Sequence, residues 1–156
     1  VATGGQLLTI RGMVEVLGLL ILSVLLASTF NMFLVLFIHS LNAFSTLSTI
    51  IGTVIGFLCG VYVPFGVLPG FAQNLIMYFP ISHTTVLLRE AFMQNSIQTV
   101  FAYASDAQVE DYKINFAIVY EMNGKLLAST TSLLVIVITT IVLAALSIII
   151  FKKKNK

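Results

Sequence analysis

The chain has 156 residues, 58% of them hydrophobic and only 9% charged, with a mean hydropathy of +1.05. An average soluble domain carries roughly 25% charged residues, so this sequence has too little polar surface to cover itself in water. The formal net charge of +2 is small because it is a sum over segregated blocks. No Asp, Glu, Lys or Arg lies between Glu15 and Arg89, nor between Lys125 and Lys152. Gaps of that length point to lipid as the solvent.

At ~20 residues per span, the length accommodates about three membrane crossings with a remainder. The chain opens on Val1 rather than Met, and we expect a piece or a processed form of a longer protein. No basic region followed by a short apolar stretch and a small-residue cleavage site marks a signal peptide. The expected fold class is an all-α membrane protein with three transmembrane helices, a re-entrant helical hairpin and an external loop, in one transmembrane domain over residues 1–156.

The first expected span is 13–38, where Ser28, Thr29 and Asn31 cluster inside an apolar run. Polar groups in lipid face other helices or a wet cavity, so Ser28 and Asn31 are candidates for a substrate path. Hydroxyls that bond their own helix backbone are the plainer alternative. A short polar connection, His39 to Asn42, then turns at the membrane surface.

The second expected span is 43–63. Gly52, Gly56 and Gly60, spaced four apart, fall on one helix face and let another backbone approach closely, as small residues do in membrane packing. That face is either a seam in a dimer or a moving gate, or ordinary packing within the subunit. Thr46, Thr49 and Thr53 form a neighbouring stripe, and Thr49 and Thr53 join the pathway candidates.

Residues 64–95 contain Pro64, Pro69 and Pro80, with Gly66 and Gly70 between them, and these break any continuous helix. The apolar pieces that remain are each about ten residues long, half a span. We expect a re-entrant hairpin, since non-helical backbone at that depth persists only where protein or water satisfies it. Arg89 and Glu90 are its only charges. They are either paired or wet below the headgroups, or they surface with Arg89 snorkelling. His83, near Pro80, is a titratable candidate with no carboxylate or cysteine close in sequence; a cap or packing role is the alternative.

Residues 96–125 are mixed, with Tyr103, Tyr112 and Tyr120 among the acids Asp106, Glu110, Asp111 and Glu121. They read as an ordered external loop with room for one short helix. The third expected span, 126–151, stops at a basic tail of Lys152, Lys153, Lys154 and Lys156. By the positive-inside rule the C-terminus is cytoplasmic, the turn at 39–42 is cytoplasmic and the segment 64–125 is external. The tail suits anionic lipid rather than nucleic acid.

For catalysis the sequence is negative: it has no G-x-x-x-x-G-K-[ST], H-E-x-x-H or G-x-S-x-G motif, and Cys59 is alone. We expect no catalytic residue, metal or cofactor, and no ATP hydrolysis by this chain.

Gly60-Val-Tyr-Val-Pro64-Phe-Gly-Val-Leu-Pro69, then Pro80-Ile-Ser-His83-Thr84 and Leu87-Leu88-Arg89, resembles the membrane subunits of ATP-binding-cassette exporters of the type-2 permease family. Members carry a Gly-x-x-x-Pro where the fifth helix ends, a Leu-Pro soon after, then a Pro and an Arg in two re-entrant half-helices. The motif covers about a fifth of the chain, and the flanking hydropathy extends the match to nearly all of it.

The resemblance implies that the three spans are helices four, five and six of a six-helix subunit, paired with a second, identical permease subunit and with cytoplasmic ATP-binding subunits in a bacterial cell membrane. It implies alternating access with Pro64, Pro69, Pro80, His83, Arg89 and Glu90 in an outer gate, and Gly52, Gly56 and Gly60 packing near the dimer axis. The long external segment 96–125 departs from the simplest members and points to export of small or drug-like molecules, as in multidrug efflux, rather than polymers. The competing readings are a secondary-transporter fragment, whose ion site would want an acidic residue absent from the second and third spans, and a structural or immunity-type membrane protein without transport.

Overall fold

The computed structural model describes residues 10–38, 40–60, 62–122 and 125–154. They form helix α1 (Ile10–Val35), α2 (Leu41–Leu58), a single 3-10 turn (Phe65–Val67), α3 (Gly70–Tyr78), α4 (Pro80–Val100), α5 (Asp106–Asn115), strands β1 (Glu121–Met122) and β2 (Lys125–Leu126), and α6 (Ser129–Lys154). Three of these helices, α1, α2 and α6, are long and apolar enough to cross a membrane. At ~1.5 Å per residue, 26 residues in α1 and α6 reach ~39 Å and 18 in α2 reach ~27 Å, against a ~30 Å hydrocarbon core.

Much of α6 is Ile, Val and Thr, residues that favour strands in water. In hydrocarbon every backbone N–H and C=O must bond internally, and a lone segment does so only as a helix. Side chains such as Ile21, Val24, Ile141 and Ile149 are exposed along α1 and α6, as lipid-facing residues are.

Helices α1 and α6 run parallel, with Lys154 Nζ donating to the Leu36 carbonyl at 3.4 Å where both end. Helix α4 packs antiparallel against both, and Leu26, Leu87 and Ile136 are buried where the three meet. The α3–α4 bend at Phe79–Pro80 reaches past the midpoint of α1, the Phe79 ring meeting Phe30 edge-on at a centroid distance of 6.4 Å. A second core of Phe65, Ile76, Val86, Ala117 and Tyr120 gathers the 3-10 turn, the hairpin and the segment after α5.

Helix α2 stands apart. It buries no side chain along its length and meets α4 through its C-terminal end.

Capping explains the boundaries. Ser40 Oγ accepts the Ala43 N–H at 3.2 Å to start α2. Pro80 sits at the start of α4, where its missing N–H is not needed. Ser105 and Gln108 form a reciprocal capping box on α5. That helix ends with Ile118 N–H on Lys113 O at 2.8 Å and Ala117 N–H on Ile114 O at 3.0 Å, Ala117 taking the left-handed φ of 49° that this cap requires.

Several boundaries differ from expectation. The second span ends at Leu58, not residue 63, because Gly60 adopts φ +62° and turns the chain out of the helix. Gly60 therefore leaves the face on which Gly52 and Gly56 lie. The third helix begins at Ser129 because Leu126 pairs with Glu121 in a two-stranded ribbon, so a small β element joins the helices. It also continues through Lys152–Lys154 rather than stopping there. The second half of the hairpin has 21 residues, not about ten, since Arg89, Glu90 and Gln94 ended the apolar window without ending the helix. The expected turn at 39–42 is described from Ser40 onward, while His39, Gly124 and Lys156 lie outside the described residues.

Candidate functional site

The prolines set the approach to the hairpin. Pro64 starts the 3-10 turn and Pro69 precedes α3, its carbonyl accepting from Ala72 and Gln73 N–H. Between them, Gln73 Nε2 donates to Phe65 O at 3.2 Å and Leu68 O at 3.0 Å, closing the turn from inside. Gly66 is required there: a β-carbon would run into the Asn115 side chain at the end of α5.

Arg89 is the organising residue. Its guanidinium donates from Nη1 to Phe116 O at 2.9 Å, and from Nη2 to Cys59 O at 2.9 Å and Gly60 O at 3.0 Å. Cys59 and Phe116 are the residues that cap the C-terminal ends of α2 and α5. Last-turn carbonyls lack intrahelical partners and carry the negative end of the helix dipole. One planar cation thus satisfies the ends of two helices at once, a role suited to the rigid fork of arginine. The C-terminal end of α2 is held to α4 by this contact.

His83 joins three elements. Met77 O can only accept, so Nε2 carries the proton and donates to it at 2.9 Å; Nδ1 then accepts from Ser132 Oγ at 3.0 Å. His83 is 2% exposed and Ser132 likewise 2%, so each satisfies the other away from water. The Tyr120 ring stands edge-on to His83 at 5.6 Å. Nearby, the Ser82 hydroxyl is shared between the Ile76 and Phe79 carbonyls at 2.6 and 2.7 Å, which also accept the Phe79 and Ser82 N–H groups across the Pro80 break. Burial pushes the Tyr120 phenol up to about 12.

Glu90 points the other way. Its Oε2 accepts from Ser129 Oγ at 2.6 Å, at the first residue of α6, where a negative charge meets the positive end of the helix dipole.

No family model, curated protein or solved structure matches the chain. The site stands on its own geometry.

The structure places Pro64, Pro69, Pro80, His83 and Arg89 along the α3–α4 segment and its approach, and adds Gly60 through Arg89; Glu90, on the same helix, is turned instead to Ser129 of α6. It does not bring the pathway candidates together. Ser28 and Asn31 are exposed on α1, Thr49 and Thr53 on α2. Asn31 Nδ2, Thr49 Oγ1 and Thr53 Oγ1 each donate to the carbonyl four residues back, as Thr29 also does. Thr46 lines an open groove of about 730 Å³ between the end of α1 and the start of α2. Gly52 faces open space, and the Tyr62 ring covers Gly56.

Met77, Cys59, Phe116, Ser129 and Ser132 were missed. The first three act through backbone carbonyls, which side-chain identity does not announce. The two serines opening the last helix carried a signal: polar residues three apart on a membrane helix share a face and want partners.

Proposed function

We propose that this chain is the C-terminal part of the membrane subunit of an ATP-driven exporter of small molecules, energised by a separate cytoplasmic ATPase and working as a pair of permease subunits. The supporting observation is the helical hairpin α3–α4, seated against the parallel helices α1 and α6 and pinned through Arg89 to the end of α2. Its bend lies opposite Phe30, well along α1, as a re-entrant element entering from one side would lie.

In this reading α1, α2 and α6 span a bacterial cell membrane, the lysines after α6 lie in the cytoplasm and α5 with the ribbon lies outside. ATP-driven closure of the partner ATPases rocks the spans, and the hairpin forms the outer gate. Arg89 transmits displacement of α2 to α4, and His83 ties the gate to α6.

The test is recovery of the full-length protein from solubilised membranes with its partners identified and ATPase activity assayed. A stoichiometric ATPase subunit is the expected result. Transport by the purified protein with no ATPase partner would overturn the reading and favour an ion-coupled transporter.

A further inference from the structure

A cavity of about 400 Å³ opens between α1, α4 and α6, near the N-terminal ends of α1 and α6. Its walls are apolar, built from Leu19, Leu22, Leu87 and Leu133. Among the described residues, its charges are Glu15 from α1 and Glu90 from α4, with the Gln94 amide and the Ser129 hydroxyl beside them, and no Lys, Arg or His belongs to its lining. The neighbouring Arg89 does not neutralise this charge, because its fork is committed to Phe116, Cys59 and Gly60 carbonyls. Lys113 borders a second, smaller cavity of about 230 Å³, which Glu90 and Gln94 also line.

We infer that this cavity binds amphiphilic organic cations. Its volume lies within the roughly 300–1,000 Å³ typical of small-molecule sites, which pair apolar walls with a few placed polar groups. Two carboxylates on different helices line the same cavity, and an entering cation is attracted to both while its hydrocarbon body covers the leucines. A neutral ligand would gain only the second term, and an anion would meet like charge. As a statement about the exported substrate class, the inference rests on the exporter reading; as a statement about binding, it does not.

One residue offers a block. Gly18 lines the cavity, and a β-carbon there meets nothing within 4 Å, so the side chain of Gly18→Phe starts into open space and takes up volume a ligand would occupy. The experiment measures equilibrium binding of tetraphenylphosphonium to the full-length protein in detergent without nucleotide, with anionic tetraphenylborate as the size-matched control. The expected result is saturable binding of the cation, reduced roughly tenfold or more in Glu15→Gln/Glu90→Gln and abolished in Gly18→Phe, with each variant's thermal transition retained and the anion binding more weakly than the cation. Glu15→Gln alone, at an exposed position, keeps the test decisive if the Glu90 variant misfolds, and should still weaken binding several-fold. Absence of cation binding, equal binding of the anion, or full affinity in Glu15→Gln and Gly18→Phe would overturn the inference. Because no ATPase is involved, binding that persists in a protein lacking any ATPase partner leaves this inference standing while the exporter reading falls.

Discussion

Arg89 concentrates more consequences than any other side chain. Its loss leaves three carbonyls to find water or go unpaired, and a hydrogen bond to a charged group contributes about 1.5–3 kcal/mol. Arg89→Gln should therefore destabilise the protein by about 2 kcal/mol or more in a denaturant titration in detergent, and Arg89→Lys should recover less than half of it, since an ammonium cannot span two helix ends. Wild-type stability in both variants would show that the contact contributes nothing. Gly60→Ala tests the same junction from the backbone side: its φ of +62° costs a residue with a β-carbon about 1–2 kcal/mol, and that carbon would stand 3.4 Å from the guanidinium. Tyr120 supplies a pH dependence. Its phenol titrates near 10 when unfolded and is raised to about 12 by burial, so its contribution is complete below pH 10 and is lost as the pH rises toward 12. Stability should fall by up to roughly 2–3 kcal/mol across that window, and Tyr120→Phe should flatten the profile there.

Among the elements, the α3–α4 hairpin depends on α6 through His83 and Ser132. A double-mutant cycle of His83→Ala and Ser132→Ala should give a coupling of about 1 kcal/mol, because each single change strands the other's buried polar atom; strict additivity would mean that the two act independently. Leu87→Ala, removing a buried side chain where α1, α4 and α6 meet, should cost about 2–5 kcal/mol, and a smaller loss would mean that the site collapses or that lipid fills it. The helices themselves were readable in advance because a membrane leaves so few choices: two charge-free stretches and three prolines place the spans and the bend. The length of α4 was not readable, because polar residues that end an apolar window do not end a helix. The stripe of Gly52, Gly56 and Gly60 misled for a related reason, since spacing assumes a continuing helix and Gly60 is the residue that stops it. Arg89 and His83 stood out as candidates, but their partners are main-chain atoms and one serine, Ser132, which become neighbours only through the tertiary fold.

At the scale of the molecule, the topology proposed here is directly measurable. Cys59 is the one cysteine of these 156 residues and is buried, so single cysteines can be added on a Cys59→Ser background from which any cysteine outside this chain is also removed. Asp111→Cys should react with a membrane-impermeant maleimide in intact cells, and Lys153→Cys only after permeabilisation; the reverse pattern would invert the assignment and place the hairpin on the cytoplasmic side. The unburied length of α2 is the other feature of this scale, a helix long and apolar enough to cross a membrane that the other described residues hold chiefly at one end.

Helix α6 does not stop at its last apolar residue but carries its regular turn on through Lys152, Lys153 and Lys154. At about 100° per residue the three ammonium groups fan around most of the circumference instead of forming a one-sided patch. No rotation of the helix can turn all of them away from hydrocarbon, and drawing even one toward the bilayer centre costs at least ~2.5–3.5 kcal/mol. The fan is a depth stop. At the opposite end α6 is tied to α4, through Ser129 to Glu90 and through Ser132 to His83, so the helix is fixed by charge at its foot and by hydrogen bonds at its head.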